Sequence, residues 1–403
     1  MGARGPDPHF EEQNRRAIRH LNRAATFKRR AWKLGISLAV CALLLAPLAW
    51  VLGPKLLHPP WTDAVAFSPD GHLLAAYSSS EGTIRLWDLQ NGRLLRMLAN
   101  PGDPPLRHDS SLPVGSLNHG LAFSPDGRFL AAVANQQVQN NGAVLYTGLV
   151  RVWDTQRWTV LHSLPMPGEA FSVAFSPSNT ALAVGLGFGE AKNPPPVQLW
   201  AVPGWQFLRS MGLPGGLVFS LAFSADGRTL IAEDVGATLY EVASGHVLQT
   251  IPSNEMQDIA LSPDGRVLAV ALLHENDSAQ GYTGQGETSI VLYDLTTGQR
   301  LRTLTHQDGM LTSVAFWSLA FSPDGRVLAT GSANHQITLW NVAHGTLLRT
   351  LSGHSSDVFA LAFSPDGRML VSGSQDRSWM LWADQTVKVW DVATGGEGRT
   401  LSG

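Results

Sequence analysis

The chain has 403 residues, 29 Lys or Arg against 32 Asp or Glu for a formal net charge of −3, and a single cysteine, Cys41. One cysteine excludes an intrachain disulfide, so stability must come from burial. Met1 to Lys33 holds nine basic residues against Asp7, Glu11 and Glu12, a balance of +6, which leaves −9 for the remainder and argues against a nucleic-acid footprint there.

The basic tail, residues 1–33, has the composition of an amphipathic helix around Glu11 to Arg30, or of a disordered orientation signal. Leu34 to Gly53 follows, twenty residues without a charge, with Trp32 and Trp50 near its ends. At about 1.5 Å per residue such a helix spans a hydrocarbon core of about 30 Å. The basic excess before it predicts a single-pass signal anchor in the cell membrane, N-terminus cytoplasmic and the rest of the chain extracytoplasmic. A cleaved signal peptide is the alternative, but the apolar run is long for one and the small residues Ala46 to Ala49 offer only a weak cleavage site. Lipidation at Cys41 would require the run to stop there, and Ala42 to Leu45 continue it.

After a Pro-containing linker, residues 54–62, Ala-Phe-Ser-Pro-Asp-Gly or a variant recurs seven times, starting at Ala66, Ala122, Ala174, Ala222, Ala260, Ala320 and Ala362. Each copy precedes an aromatic residue: Trp87, Trp153, Trp200, Tyr240, Tyr293, Trp340, and either Trp382 or Trp390. The first unit reads as strands at Val65 to Phe67, Leu73 to Tyr77, Thr83 to Trp87 and Leu94 to Leu98, joined by turns at Ser68 to Gly71 and Asp88 to Gly92. Repeats of about 40 residues that cannot bury an apolar face alone must stack on neighbours. The expectation for 63–403 is an all-β, seven-bladed propeller of four-stranded antiparallel blades, preceded by one transmembrane helix.

Leu319 to His354, LAFSPDGRVLATGSANHQITLWNVAHGTLLRTLSGH, resembles a WD-repeat unit almost throughout, and the resemblance extends over 63–403. The middle units depart from it, with Trp200 followed by Ala201 and Tyr240 by Glu241. The resemblance implies that His354, Asp376 and the strand tryptophan, Trp390, belong to a structural hydrogen-bond network. It also implies protein partners on one face of the propeller.

Connections in a meander alternate between its two ends. All the long ones fall at one end: Asn100 to His119, Asn135 to Thr147, Gly185 to Pro196, Leu273 to Thr288 and His306 to Ser318. They are expected to be irregular loops forming a partner-docking face, with Tyr146, Phe188, Tyr282 and Trp317 as candidate anchors. In the last unit either Trp382 closes the third strand, or Trp390 does and Ser378 to Gln385 is an insertion; the second register is favoured. It leaves Trp379 and Trp382 in an apolar patch and adds them to the candidates.

The chain has no phosphate-cradling loop, zinc-type His-Glu-x-x-His, cysteine cluster or nucleophile elbow. Gly185 to Gly189 is glycine-rich but precedes no helix, and Asn276-Asp277-Ser278 is read as a chance sequon. No catalytic, metal-ligating or cofactor-binding residue is assigned. The reading is a membrane-tethered, non-enzymatic scaffold for protein partners. Its alternatives are an enzyme or small-ligand sensor at the central channel mouth, and a cytoplasmic-facing signalling scaffold.

Overall fold

Seven Ser-x-Asp-Gly turns, or close variants, organise the molecule. A computed structural model describes residues 62–78, 81–99, 120–140, 143–187, 195–213, 216–234, 236–252, 256–274, 287–304, 316–375 and 386–401. The basic tail, the apolar segment and all of the linker but Thr62 lie outside these residues. Among the described residues no helix is long and apolar enough to cross a membrane.

Blade one contains β1 (Ala64–Phe67), β2 (Leu73–Ser78), β3 (Thr83–Asp88) and β4 (Arg93–Ala99). Blade two contains β5 (Leu121–Phe123), β6 (Phe129–Val133), β7 (Gln136–Asn140), β8 (Ala143–Asp154) and β9 (Thr159–Met166). Blade three is β10 (Ala170–Phe175), β11 (Ala181–Leu186), β12 (Val197–Ala201) and β13 (Phe207–Met211). Blade four is β14 (Ser220–Phe223), β15 (Thr229–Asp234), β16 (Gly236–Glu241) and β17 (Val247–Pro252). Blade five is β18 (Met256–Leu261), β19 (Val267–His274), β20 (Glu287–Asp294) and β21 (Arg300–Leu304). Blade six is β22 (Phe316–Phe321), β23 (Val327–Ser332), β24 (Gln336–Asn341) and β25 (Thr346–Ser352). Blade seven is β26 (Asp357–Phe363), β27 (Met369–Gln375), β28 (Val387–Asp391) and β29 (Glu397–Leu401).

Six sheets follow sequence order as four-stranded antiparallel meanders, and blade two adds β7 against β8. The first strands touch in a closed cycle, β1, β5, β10, β14, β18, β22, β26 and back to β1. The protein is therefore a seven-bladed β-propeller.

Each turn between first and second strands is built by its serine. Ser322 Oγ donates to Asp324 Oδ1 at 2.6 Å and accepts Val327 N–H at 2.9 Å, while Asp324 Oδ1 also accepts Arg326 N–H at 3.0 Å. The glycine adopts positive φ, as at Gly325 (70°), and Asn179 (59°) takes that place in blade three. That region costs glycine nothing and asparagine little. The turns also touch one another: a Cβ added to Gly325 would meet Pro263 at 3.5 Å, and one on Gly71 of blade one would meet Pro365 of blade seven at 3.5 Å.

The last blade supplies its own outer strand, β29, and the ring closes by side-to-side packing rather than by strand exchange. Val65, Leu74, Ala76 and Trp87 of blade one share a buried cluster with Ala360, Val371, Val387, Val389 and Leu401 of blade seven. At the rim, Arg399 Nη1 donates to Leu89 O at 3.2 Å. The same reach from blade six to seven takes Arg349 Nη2 to Ala393 O at 2.8 Å, with Nη1 on Thr394 O.

One sequence expectation needs correcting and one open alternative is decided. Asn135 to Thr147 is not an irregular loop: β7 and the first half of β8 pair as a hairpin, from Gln136 opposite Thr147 to Asn140 opposite Ala143. The two intervening residues, Asn141 and Gly142, are the pair favoured in tight hairpin links. The register of the last blade resolves in favour of Trp390, since Met369 to Gly373 pair with Asp391 to Val387.

Candidate functional site

One end of the propeller carries the short turns; the other carries every long connection and the start of each first strand. Most of what sets the second end apart comes from the first strands. In blades three, five, six and seven the pairing of first to second strand slips by one residue at the same place, between Ala170 and Ser172, Met256 and Asp258, Phe316 and Ser318, and Val358 and Ala360. The extra residues are Phe171, Gln257, Trp317 and Phe359. A β-bulge re-aims the side chain it carries and increases local twist.

Three of these bulged residues make aromatic pairs between neighbouring blades. Phe171 stacks on Phe219 of blade four at 5.1 Å and 26°, and Trp317 stacks on Phe359 of blade seven at 5.3 Å and 24°. Phe171 and Phe359 are buried and Phe219 is half-buried. Trp317 is 8% exposed, which makes it part of the wall and not a protruding anchor.

Polar side chains stitch the blades at the same end. Asn135 Oδ1 accepts Ala170 N–H at 2.8 Å and its Nδ2 donates to Ala170 O at 2.9 Å, joining blades two and three. Asp258, 1% exposed, accepts Ile259 N–H at 2.8 Å and Leu319 N–H of blade six at 2.7 Å. Ser172 Oγ donates to Val218 O at 3.3 Å and Ser220 Oγ to Ile259 O at 3.4 Å. Buried backbone groups are thus satisfied from the next blade, which fixes the geometry of the mouth.

In blade seven, Ser372 Oγ lies 2.6 Å from His354 Nε2 and accepts the indole N–H of Trp390 at 2.8 Å. All three are buried. The hydroxyl is committed to two neighbours within the blade, so the group acts as a structural pin. Asp376, expected beside it, lies outside the described residues. Blade six keeps a shorter form, Trp340 Nε1 to Thr330 Oγ1 at 3.2 Å. Blades one to five have Ala76, Ala132, Val184, Ala232 and Val270 at that register.

Of the other candidate anchors, Tyr146 sits on β8 opposite Gln137 in the hairpin. Phe188, Tyr282, Trp379 and Trp382 lie outside the described residues. Sequence reasoning passes over Phe171, Phe219 and Phe359, yet each stands three residues before a repeated alanine (Ala174, Ala222, Ala362), as Trp317 does before Ala320. Among the described residues no group of three or more His, Cys, Asp or Glu is placed to hold a metal ion.

The model of the WD domain, G-beta repeat family matches residues 58–88, 298–341 and 345–382. These three stretches are WD40 repeats. The last match ends at Trp382, whereas strand pairing closes that blade with Trp390; backbone pairing decides the register in favour of Trp390. The unmatched blade two keeps the turn, Ala122 to Gly127, and the Trp153-Asp154 pair, but separates them by the β7–β8 hairpin. Of the blades between the matched stretches, three to five are the same four-stranded meanders and blade two is a five-stranded sheet.

Among curated proteins, the chain is 38% identical to the small ribosomal subunit protein RACK1y of Oryza sativa subsp. japonica over 37% of its own length and 37% of that protein. It is 31% identical to the COMPASS component SWD3 of Saccharomyces cerevisiae over 38% of its length and 44% of that protein. It is 25% identical to transducin beta-like protein 3 of Rattus norvegicus over 57% of its length and 28% of that protein. The chain therefore spans less than half the length of each of these relatives. A chain of Kuenenia stuttgartiensis hydrazine synthase superposes with a TM-score of 0.64 at 18% identity, covering 83% of this chain and 96% of that one, which is a likeness of fold alone.

Proposed function

We propose that this WD40 propeller is a non-enzymatic, membrane-tethered scaffold that docks protein partners on its long-connection face. The carrying observation is that every bulged first strand and every long insertion falls at that one end, while the opposite end consists of short, hydrogen-bonded turns. A face built from rigid strands and variable connections suits recognition of protein surfaces. Two relatives bear names that make them components of larger assemblies, a small ribosomal subunit and COMPASS, and this supports a binding role. The tether rests on the uncharged segment Leu34 to Gly53 and its basic flank, which favour an extracytoplasmic propeller.

The docking reading is tested by replacing residues 275–286 and 100–119 with short links in the full chain and comparing proteins recovered with each form from membranes. Loss of specific partners with an unchanged melting temperature is expected; an identical set of partners would remove the docking face from consideration. Placement is tested separately by protease digestion of intact and lysed cells. Cleavage of the propeller in intact cells supports the extracytoplasmic side, and protection until lysis would return it to the cytoplasm.

A further inference from the structure

The hairpin of blade two differs from every other insertion. From Phe129 to Val150 the sequence has no charged residue and no proline, whereas each of the other four insertions carries at least one Asp or Glu. β7 continues the line of β6: Ala134 N–H donates to Leu149 O at 2.6 Å, and pairing with β8 resumes at Gln136 opposite Thr147. The first strand covers that edge only as far as Val133, whose N–H donates to Gly120 O at 2.9 Å. Beyond it β7 pairs with β8 alone among the described residues. The opposite edge is crowded at its base, where a Cβ on Gly148 would stand 1.8 Å from Gly168 O.

The result is a two-stranded arm of about 17 Å, at about 3.3 Å per residue, whose inner edge pairs with no other described strand. A lone two-stranded ribbon is marginal in water, and natural edges are normally blunted by lysine, proline or bulges. β7 has none of these.

We infer that the edge of β7 pairs with β7 of a second copy of this chain, antiparallel and centred on Val138. The sequence Gln-Gln-Val-Gln-Asn is self-complementary in that register. Val138 falls opposite its own counterpart, Gln137 opposite Gln139 of the other copy, and Gln136 opposite Asn140. None of these positions carries a charge, so the register sets no like charges opposite each other. Two arms rising from facing propellers run antiparallel as a two-fold axis requires, and together form a four-stranded sheet, β8-β7-β7-β8. The contact is small against the roughly 1,200 Å² of a stable interface, so the dimer is a weak, concentration-dependent one.

The test uses the full chain purified in detergent, with Cys41→Ser and Val138→Cys. Opposed residues in an antiparallel pair lie about 4.5 to 5.5 Å apart between Cα atoms, within the span of a disulfide. Air oxidation with copper–phenanthroline should therefore convert most of the chain to a covalent dimer, and mass photometry of the unmodified chain should show dimer rising with concentration. Gln137→Lys with Gln139→Lys sets lysine against lysine twice and should abolish the dimer, while Gln137→Lys with Gln139→Glu sets lysine against glutamate and should restore it. Absence of the cross-link in the Val138→Cys chain, a dimer that survives the Lys/Lys pair, or a monomer that instead loses a foreign partner with the Lys/Lys pair would each overturn the inference. Melting temperatures close to that of the parent chain establish that each variant is folded.

Discussion

Trp390 donates its indole N–H to the Ser372 hydroxyl at 2.8 Å, whereas blade one has Ala76 at the position of that serine and the buried indole nitrogen of Trp87 has no acceptor among the described residues. The two blades are otherwise built alike. Removing the hydroxyl with Ser372→Ala should destabilise the propeller by about 1 to 3 kcal/mol, the cost of an orphaned buried donor. Supplying it with Ala76→Ser should stabilise by about 1 kcal/mol. Denaturant unfolding of both variants measures the pair, and a neutral Ala76→Ser would mean that Trp87 is already satisfied.

Acid should weaken the turns. The hydroxyls of Ser68, Ser224, Ser262, Ser322 and Ser364 hold the carboxyls of Asp70, Asp226, Asp264, Asp324 and Asp366 below the ordinary aspartate range, helped by backbone N–H groups and partly opposed by burial. A carboxyl depressed in the folded state contributes stability above its unfolded pKa, about 3.9, and loses it as pH falls through the folded value. The melting temperature should therefore be flat on this account from pH 7 to about 5 and fall below about pH 4. Ser322→Ala should raise the Asp324 titration measured by NMR and lower stability at neutral pH.

Trp205 occupies a position where five other blades place glycine, with φ at 54°. Left-handed backbone is strained for a bulky side chain, by about 1 to 3 kcal/mol. The ring offsets this by packing edge-on against Phe129 at 5.2 Å and beside His162 at 5.6 Å, at 7% exposure. Truncating a buried tryptophan costs about 3 to 5 kcal/mol, so packing outweighs strain. Trp205→Gly should lose about 2 kcal/mol in denaturant unfolding, and a gain would reverse that ranking.

Asp258 joins blades five and six through two backbone donors. Asp258→Ala leaves Ile259 N–H and Leu319 N–H buried without their acceptors and should cost about 2 to 4 kcal/mol. Asn at this position retains one carbonyl acceptor and should recover about half. Hydrogen exchange at the Leu319 amide should accelerate in the alanine variant.

Much of the architecture is legible because its signals are local. Ser322, Asp324 and Gly325 make their turn within a few residues of each other, and the same triplet marks five more blades. The strand limits read for the first unit fall within one or two residues of β1 to β4. What escapes depends on register between strands. The bulges at Phe171 and Trp317 exist only as a slip against β11 and β23, and Trp317 reads as part of a connection because its neighbours to the N-terminal side are one. The arm of β7 and β8 reads as a loop because its length exceeds that of an ordinary link, although its uncharged composition and Asn-Gly pair are in plain view. Inter-blade partners such as Asn135 with Ala170 join residues 35 apart, a distance at which no spacing rule operates.

Because blade seven completes itself with β29 and meets blade one only flank to flank, the residues from Thr62 onward bolt the ring among themselves. A cut before the first blade should therefore free an intact ring, so that loss of the N-terminal segment and loss of folding are separable events.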